Sequence, residues 1–138
     1  MKVDALAARI ANLSHRYGRV EALSSINLAI PAGCMAGLIG PDGVGKSSLL
    51  ALIAGVRKIQ SGQITTLGAD MGNAGDRAKT CPRIAYMPQG LGDNLYHTLT
   101  VDENIGFFAD LFGLTGAART EQVDRLLDAT GLLDFRNR

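Results

Sequence analysis

"GPDGVGKSSLL", Gly40 to Leu50, sets glycines, a lysine and two serines directly before an apolar run. The spacing Gly40-x-x-x-x-Gly45-Lys46-Ser47 is GxxxxGK[ST], a pattern whose meaning depends on a strand before it and a helix after it. Both are expected. "CMAGLI", Cys34 to Ile39, is continuously apolar and reads as a strand covered on both faces. From Lys46 onward, Leu49, Leu50, Leu52 and Ile53 fall on one helical face, and Gly55 is placed as the C-terminal cap. A polyphosphate needs many donors converging on a small volume, and a loop wrapped over a helix N-terminus offers backbone N–H groups reinforced by the helix dipole. Gly43 and Gly45 allow backbone conformations closed to other residues and a close approach to oxygen atoms. Lys46 adds a point charge toward the β- and γ-phosphates, and the Ser47 hydroxyl is a hard ligand suited to Mg²⁺. Asp42 would repel phosphates and is expected to point to solvent. The alternative is a glycine turn before a core helix, with Lys46 and Ser47 merely exposed in its first turn.

Outward from the loop, "SSINLAI" alternates Ile26, Leu28 and Ile30 with polar or small residues, the period of a half-buried strand that Pro31-Ala32-Gly33 ends in a turn. "QITTLG" and "RIAYM" read as short strands joined by a surface loop from Gly68 to Asp76. "TVDENIGFFADLFG" reads as a helix. Thr100 and Glu103 have capping-box spacing, Val101, Ile105, Phe108 and Phe112 share a face, and Gly113 stops it. In "ARTEQVDRLLDATG", Val123, Leu126 and Leu127 point inward and Gly131 caps. No internal repeat or low-complexity segment is present.

With 138 residues, 46% hydrophobic and 20% charged, the chain has the composition of one globular domain or part of one. Its 14 basic and 13 acidic residues give a formal charge of +1, and Arg16, Arg57, Lys58, Arg77, Arg83 and Arg125 are dispersed, so no polybasic stripe points to nucleic acid or an anionic membrane. Asp4 and Arg9 interrupt what a signal peptide would need, and "LLALIAGV" is too short to span a bilayer, which favours a cytoplasmic segment. Cys34 and Cys81 lack metal or CxxC spacing and read as reduced thiols. His15 and His97 attract no role.

"RYG" with Tyr17, "ALSSINLAIPAG", "GLIGPDGVGKSSLLALIAG", "SGQITTLG" and "IAYMPQ" together resemble the first half of an ABC-type ATP-binding domain, in that family's order and across nearly the whole chain. The resemblance implies an α/β P-loop NTPase fold with an antiparallel β subdomain. The antiparallel part and phosphate-loop core would occupy about residues 1–90, and the start of a helical subdomain about residues 91–138. It implies ATP and Mg²⁺ as ligands, with Gly40, Pro41, Asp42, Gly43, Val44, Gly45, Lys46, Ser47 and Ser48 around the nucleotide. Tyr17 would stack on adenine, Lys46 would act in catalysis, and Ser47 and Gln89 would serve the metal, with Gln89 also near the attacking water. Read alone, a Tyr after a strand is more often a half-buried packing residue and a Gln in a loop is usually solvated. "CPRIAYMPQGLGDNLYHTLTVDENIGFFADLFG" is similar to bacterial proteins in which such domains are fused to a drug-export-type permease, including a ribosome-associated ATPase. Leu91, Leu95 and Tyr96 would then face a permease helix; alternatively they pack against the helix that begins after Thr100.

The family completes its site with an LSGGQ-like signature, a second-strand Asp with an adjacent Glu, and a switch His, none of which follows Gln89. The sequence therefore reads as truncated, its core parallel sheet incomplete, with unpaired edges, marginal stability and no turnover of its own. The leading expectation is the ATP-binding part of a transporter motor. Its partners would be a second such domain and a permease at the inner face of the bacterial plasma membrane. The alternatives are a ribosome-associated ATPase, which the charge does not indicate, a P-loop kinase or GTPase, and a non-catalytic nucleotide-binding module.

Overall fold

The computed structural model describes residues 5–90 and 95–138. It divides between Gln89 and Gly90 into two compact units.

In the first unit, β1 (Leu6–Tyr17), β2 (Val20–Pro31), β3 (Ser61–Thr66) and β4 (Ala69–Asp70) form a sheet in the order β2-β1-β3-β4, antiparallel throughout. The turn at Gly18-Arg19 pairs Tyr17 with Val20, so the strand reaches further back than the alternation of residues 24–30 indicated. Alternate residues of β1, Ala8, Ile10, Leu13 and His15, are buried, with a register shift where the alternation breaks. Helix α1 (Lys46–Ile53) closes the sheet by burying Leu49 and Leu52 against Ile10, Leu13, Leu23, Ile64 and Met71. Full burial of side chains such as Leu13 and Leu52 stabilises by roughly 1.5–3 kcal/mol each. That packing, with the Thr66 hydroxyl donating to the Ile53 carbonyl at 2.9 Å, fixes where the N-terminus of α1 points. Leu50 leaves the predicted face and is 47% exposed. Gly55 follows the helix at φ 75°, as a C-terminal cap requires.

Two expected strands are not formed. Residues 35–40 and 84–88 carry no regular structure, and Met35, Ile39 and Met87 are almost wholly exposed. An apolar run becomes a strand only when a neighbour takes its N–H and C=O groups, and among the described residues no segment pairs with either run. The expected loop at 68–76 instead contains β4 and the start of α2 (Ala74–Thr80). Asn73 caps that helix by accepting from the Gly75 and Asp76 amides at 2.8 and 3.1 Å.

The second unit pairs α3 (Val101–Leu111) with α4 (Gly116–Ala129), followed by a 3-10 turn at Leu133–Phe135. Thr100 Oγ1 accepts from the Glu103 amide, and the Glu103 carboxylate accepts from the Thr100 amide at 2.8 Å, the expected reciprocal cap. These bonds from Thr100, the backbone one foremost, hold the Glu103 carboxyl below its usual pKa. Val123 and Leu127 are buried, whereas Leu126 is 39% exposed. The predicted face of α3 is displaced: Asn104, Gly106 and Ala109 are buried, while Phe108 and Phe112 are 39% and 58% exposed and border an apolar groove of about 380 Å³ with Leu126. Arg136 ties the unit together by contacting both Asp102 and Asp124, the latter at 3.2 Å. Among the described residues no helix is long and apolar enough to cross a membrane.

Candidate functional site

A cavity of about 440 Å³ lies at the N-terminus of α1, lined by Tyr17, Val20, Ala22, Asp42, Gly43, Gly45, Lys46, Ser47, Ser48 and Gln89. Its floor is the phosphate-type loop. Gly43 and Gly45 have φ of 81° and 91°, in the left-handed region. Gly45 is the N-cap of α1, no side chain bonds the open end, and no acidic residue sits in the first turn. The first amides of the helix therefore face the cavity without an internal acceptor, next to the positive end of the dipole.

The Lys46 ammonium donates to the Gly40 carbonyl at 2.8 Å and to the Pro41 carbonyl. Gly40 and Pro41 thus serve through their main chain, outside the cavity wall, and Val44 is 52% exposed. Asp42 lines the cavity but is fully exposed, with a loose 3.7 Å pairing to Lys46. Exposed pairs of this kind contribute little. The Ser47 hydroxyl and the Gln89 amide oxygen approach to 3.5 Å, although 42 residues separate them. A hydroxyl and an amide oxygen are both hard donors, which phosphate oxygens and water would complete around Mg²⁺.

Tyr17, at the end of β1, is 40% exposed at the cavity's other end. Its hydroxyl lies 3.0 Å from Ser48 Oγ, its ring meets that of His15 at 4.8 Å and 76°, and the Arg57 guanidinium carbon lies 5.1 Å from the ring centre. His15, assigned no role from the sequence, is buried at 5% exposure within the strand. Sequence reasoning also missed Val20, which the Gly18-Arg19 turn brings opposite Tyr17, and Ala22 two residues further along β2. A tight turn directly after an aromatic residue was the available signal. Arg57 carried no signal, because its place follows from how α1 packs.

In the second unit, Leu95 and Tyr96 are half exposed, and Tyr96 packs edge-on against Phe107 of α3 at 4.8 Å. Leu91 lies outside the described residues. Asn104 holds this segment: its Oδ1 accepts from the Tyr96 amide at 2.8 Å, and its Nδ2 reaches the Tyr96, Leu99 and Thr100 carbonyls at 3.0–3.1 Å.

A family model described as ABC transporter matches residues 23–138. The Escherichia coli (strain K12) protein named "Probable multidrug ABC transporter ATP-binding protein YbhF" is 42% identical over 120 residues, which are 87% of this chain and 20% of that protein. The linearmycin resistance ATP-binding protein LnrL of Bacillus subtilis (strain 168) is 32% identical over 123 residues, 89% of this chain and 38% of that protein. Among solved structures, cbiO1 from Clostridium perfringens, part of the ABC transporter complex cbiONQ, matches with a TM-score of 0.80 at 24% identity, covering 98% of this chain and 54% of that one. The chain thus spans well under two thirds of these relatives, and its fold is that of part of an ABC-type nucleotide-binding domain. With the family model matched over residues 23–138, and the glycine loop, Lys46, Ser47 and Gln89 gathered at one helix end, the chain belongs to the ABC transporter family.

Proposed function

We propose that this chain is the Mg-ATP-binding portion of an ABC transporter ATPase whose binding and hydrolysis of ATP drive a membrane export permease. One observation carries the reading: the open, uncapped N-terminus of α1 lies in the same cavity as Lys46, the Ser47–Gln89 oxygen pair and the half-exposed ring of Tyr17. A polyphosphate seated on the α1 amides would draw Lys46 from the Gly40 and Pro41 carbonyls toward its terminal oxygens. Ser47 and Gln89 would hold the magnesium ion, which supplies charge neutralisation of the phosphates, and Tyr17 would take the base. Gly40, Pro41 and Val44 shape the loop, Ser48 anchors Tyr17, and Asp42 stands exposed at the cavity's edge. In the full protein the nucleotide would clamp two such domains together, with Leu95 and Tyr96 on the face toward the permease at the inner side of the bacterial plasma membrane. The multidrug and linearmycin-resistance relatives support export as the output.

Hydrolysis belongs to the whole protein. The single carboxylate among the described residues that line the cavity, Asp42, is fully exposed and loosely paired with Lys46, so none of these residues is placed to activate water. The test is calorimetry of Mg-ATP against wild-type chain and Lys46→Ala, with steady-state phosphate release measured in parallel. At least a tenfold loss of affinity in the variant and no turnover in either protein are expected. Equal affinities would refute the site, and steady hydrolysis abolished by Lys46→Ala would refute the division of labour.

A further inference from the structure

We propose that Arg57, with Ser48, is a positioning residue that presets the Tyr17 ring as a platform for the nucleotide base; this rests on the reading of the cavity as a nucleotide site. Tyr17 lines two cavities. The first contains the phosphate loop, Val20 and Ala22. The second, of about 320 Å³, shares Tyr17, Ser47, Ser48 and Gln89 but adds Ala51, Arg57, Tyr86 and Pro88. Arg57 lines only the second, and its guanidinium carbon stands over the Tyr17 ring at 5.1 Å. The cation covers one face of the ring, and the base would take the other.

The hydroxyl end of the same ring is pinned separately, at 3.0 Å from Ser48 Oγ in the first turn of α1. A tyrosine has two side-chain torsions, and stacking a base on a freely rotating ring costs the entropy of fixing them. A cation on one face and a hydrogen bond at the tip fix both torsions before any ligand arrives. The Ser48 bond also ties the platform to the helix that carries the phosphate-binding amides, so base and phosphates meet a single rigid frame. A guanidinium over one face also withdraws electron density from the ring, which favours an electron-rich purine on the other.

Calorimetry of the 138-residue chain with Mg-ATP and, separately, Mg-tripolyphosphate tests this, because the second ligand has no base. Arg57→Ala is expected to weaken Mg-ATP about two- to fivefold, the size of an exposed cation–π contact, and to leave tripolyphosphate unchanged. Arg57→Lys, which keeps the cation, stays within about twofold of wild type for both. Stronger Mg-ATP binding by Arg57→Ala would mean that the guanidinium occupies the base's own place and would overturn the proposal. So would an equal loss for both ligands or no change for either. A ligand-free measurement stands beside it: the Arg57 side-chain protons should show an upfield ring-current shift that disappears in Tyr17→Leu. Absence of that shift overturns the proposal whatever the affinities. Lys46→Ala sparing both ligands would instead sink the nucleotide site, leaving the Tyr17–Arg57 contact to be judged by its own ring-current signal.

Discussion

Replacing Asn104 by alanine tests how the segment before α3 is held. The Asn104 side chain is 9% exposed and bonds the Tyr96 amide through Oδ1, while its NH₂ group lies within reach of three carbonyls. Two protons can serve only two of those carbonyls at a time, so the side chain makes at most three concurrent bonds. At roughly 1 kcal/mol net for each, and more where a buried partner is left unpaired, Asn104→Ala should loosen the 95–100 segment by ~2–4 kcal/mol. Because 1.4 kcal/mol is a factor of ten, the lower bound predicts that the Tyr96 amide exchanges about thirtyfold faster in the variant. Hydrogen exchange read by NMR suits the case, since it reports local opening and does not require the whole chain to unfold in one step. Asn104→Asp keeps an acceptor for the Tyr96 amide but sets a carboxylate against the three carbonyls, and should fall as far or further at neutral pH. If Tyr96 exchange in Asn104→Ala stays within about threefold of wild type while circular dichroism shows α3 intact, the hydrogen bonds do not hold the segment and the reasoning fails.

Gly45 and Gly43 should respond unequally to alanine. Both sit at positive φ, a shared cost of roughly 1–2 kcal/mol, but a Cβ on Gly45 would overlap the Ala22 carbonyl oxygen and lie 2.8 Å from Leu23 Cδ2, whereas one on Gly43 meets open space. Urea titration followed by circular dichroism should show Gly45→Ala losing a further ~1–3 kcal/mol from the clash with β2, and equal midpoints for the two variants would contradict this. The α3 cap should depend on pH. Glu103 has a folded-state pKa below its unfolded value, so its contribution is complete above the usual carboxylate range and disappears as pH falls through the depressed value. Amide protection in the first turn of α3 should drop on acidification in wild type and be flat in Glu103→Gln; a flat wild-type profile would count against the cap.

Much of the phosphate loop, α1 and the α3 cap was legible because their causes are local. GxxxxGK[ST] fixes a loop by glycine geometry, and Thr100 with Glu103 satisfies helix amides within four residues. Residues 35–40 and 84–88 were misread for the opposite reason. Apolarity shows that a segment needs cover, but pairing is a property of two segments, and the described residues place no partner beside either run. Asn73 was a readable helix start that the glycines around it disguised. Leu50, Phe108 and Phe112 show the limit of periodicity, since a helical face is buried only as far as something packs on it. Within the site, the loop residues were visible in the sequence. The partners Ser48 and Arg57 of Tyr17 were not, because they reach it from α1, 31 residues further along the chain, and from the segment after that helix.

The grip of Lys46 on the Gly40 and Pro41 carbonyls has a kinetic corollary. By bonding back to the start of its own loop, the side chain acts as a clasp that keeps the ring of backbone closed while it waits. An arriving phosphate chain meets a finished seat and needs only to exchange one set of oxygens for another around the same ammonium. Capture should then be governed by encounter and by this swap of oxygens, with little delay from chain reorganisation.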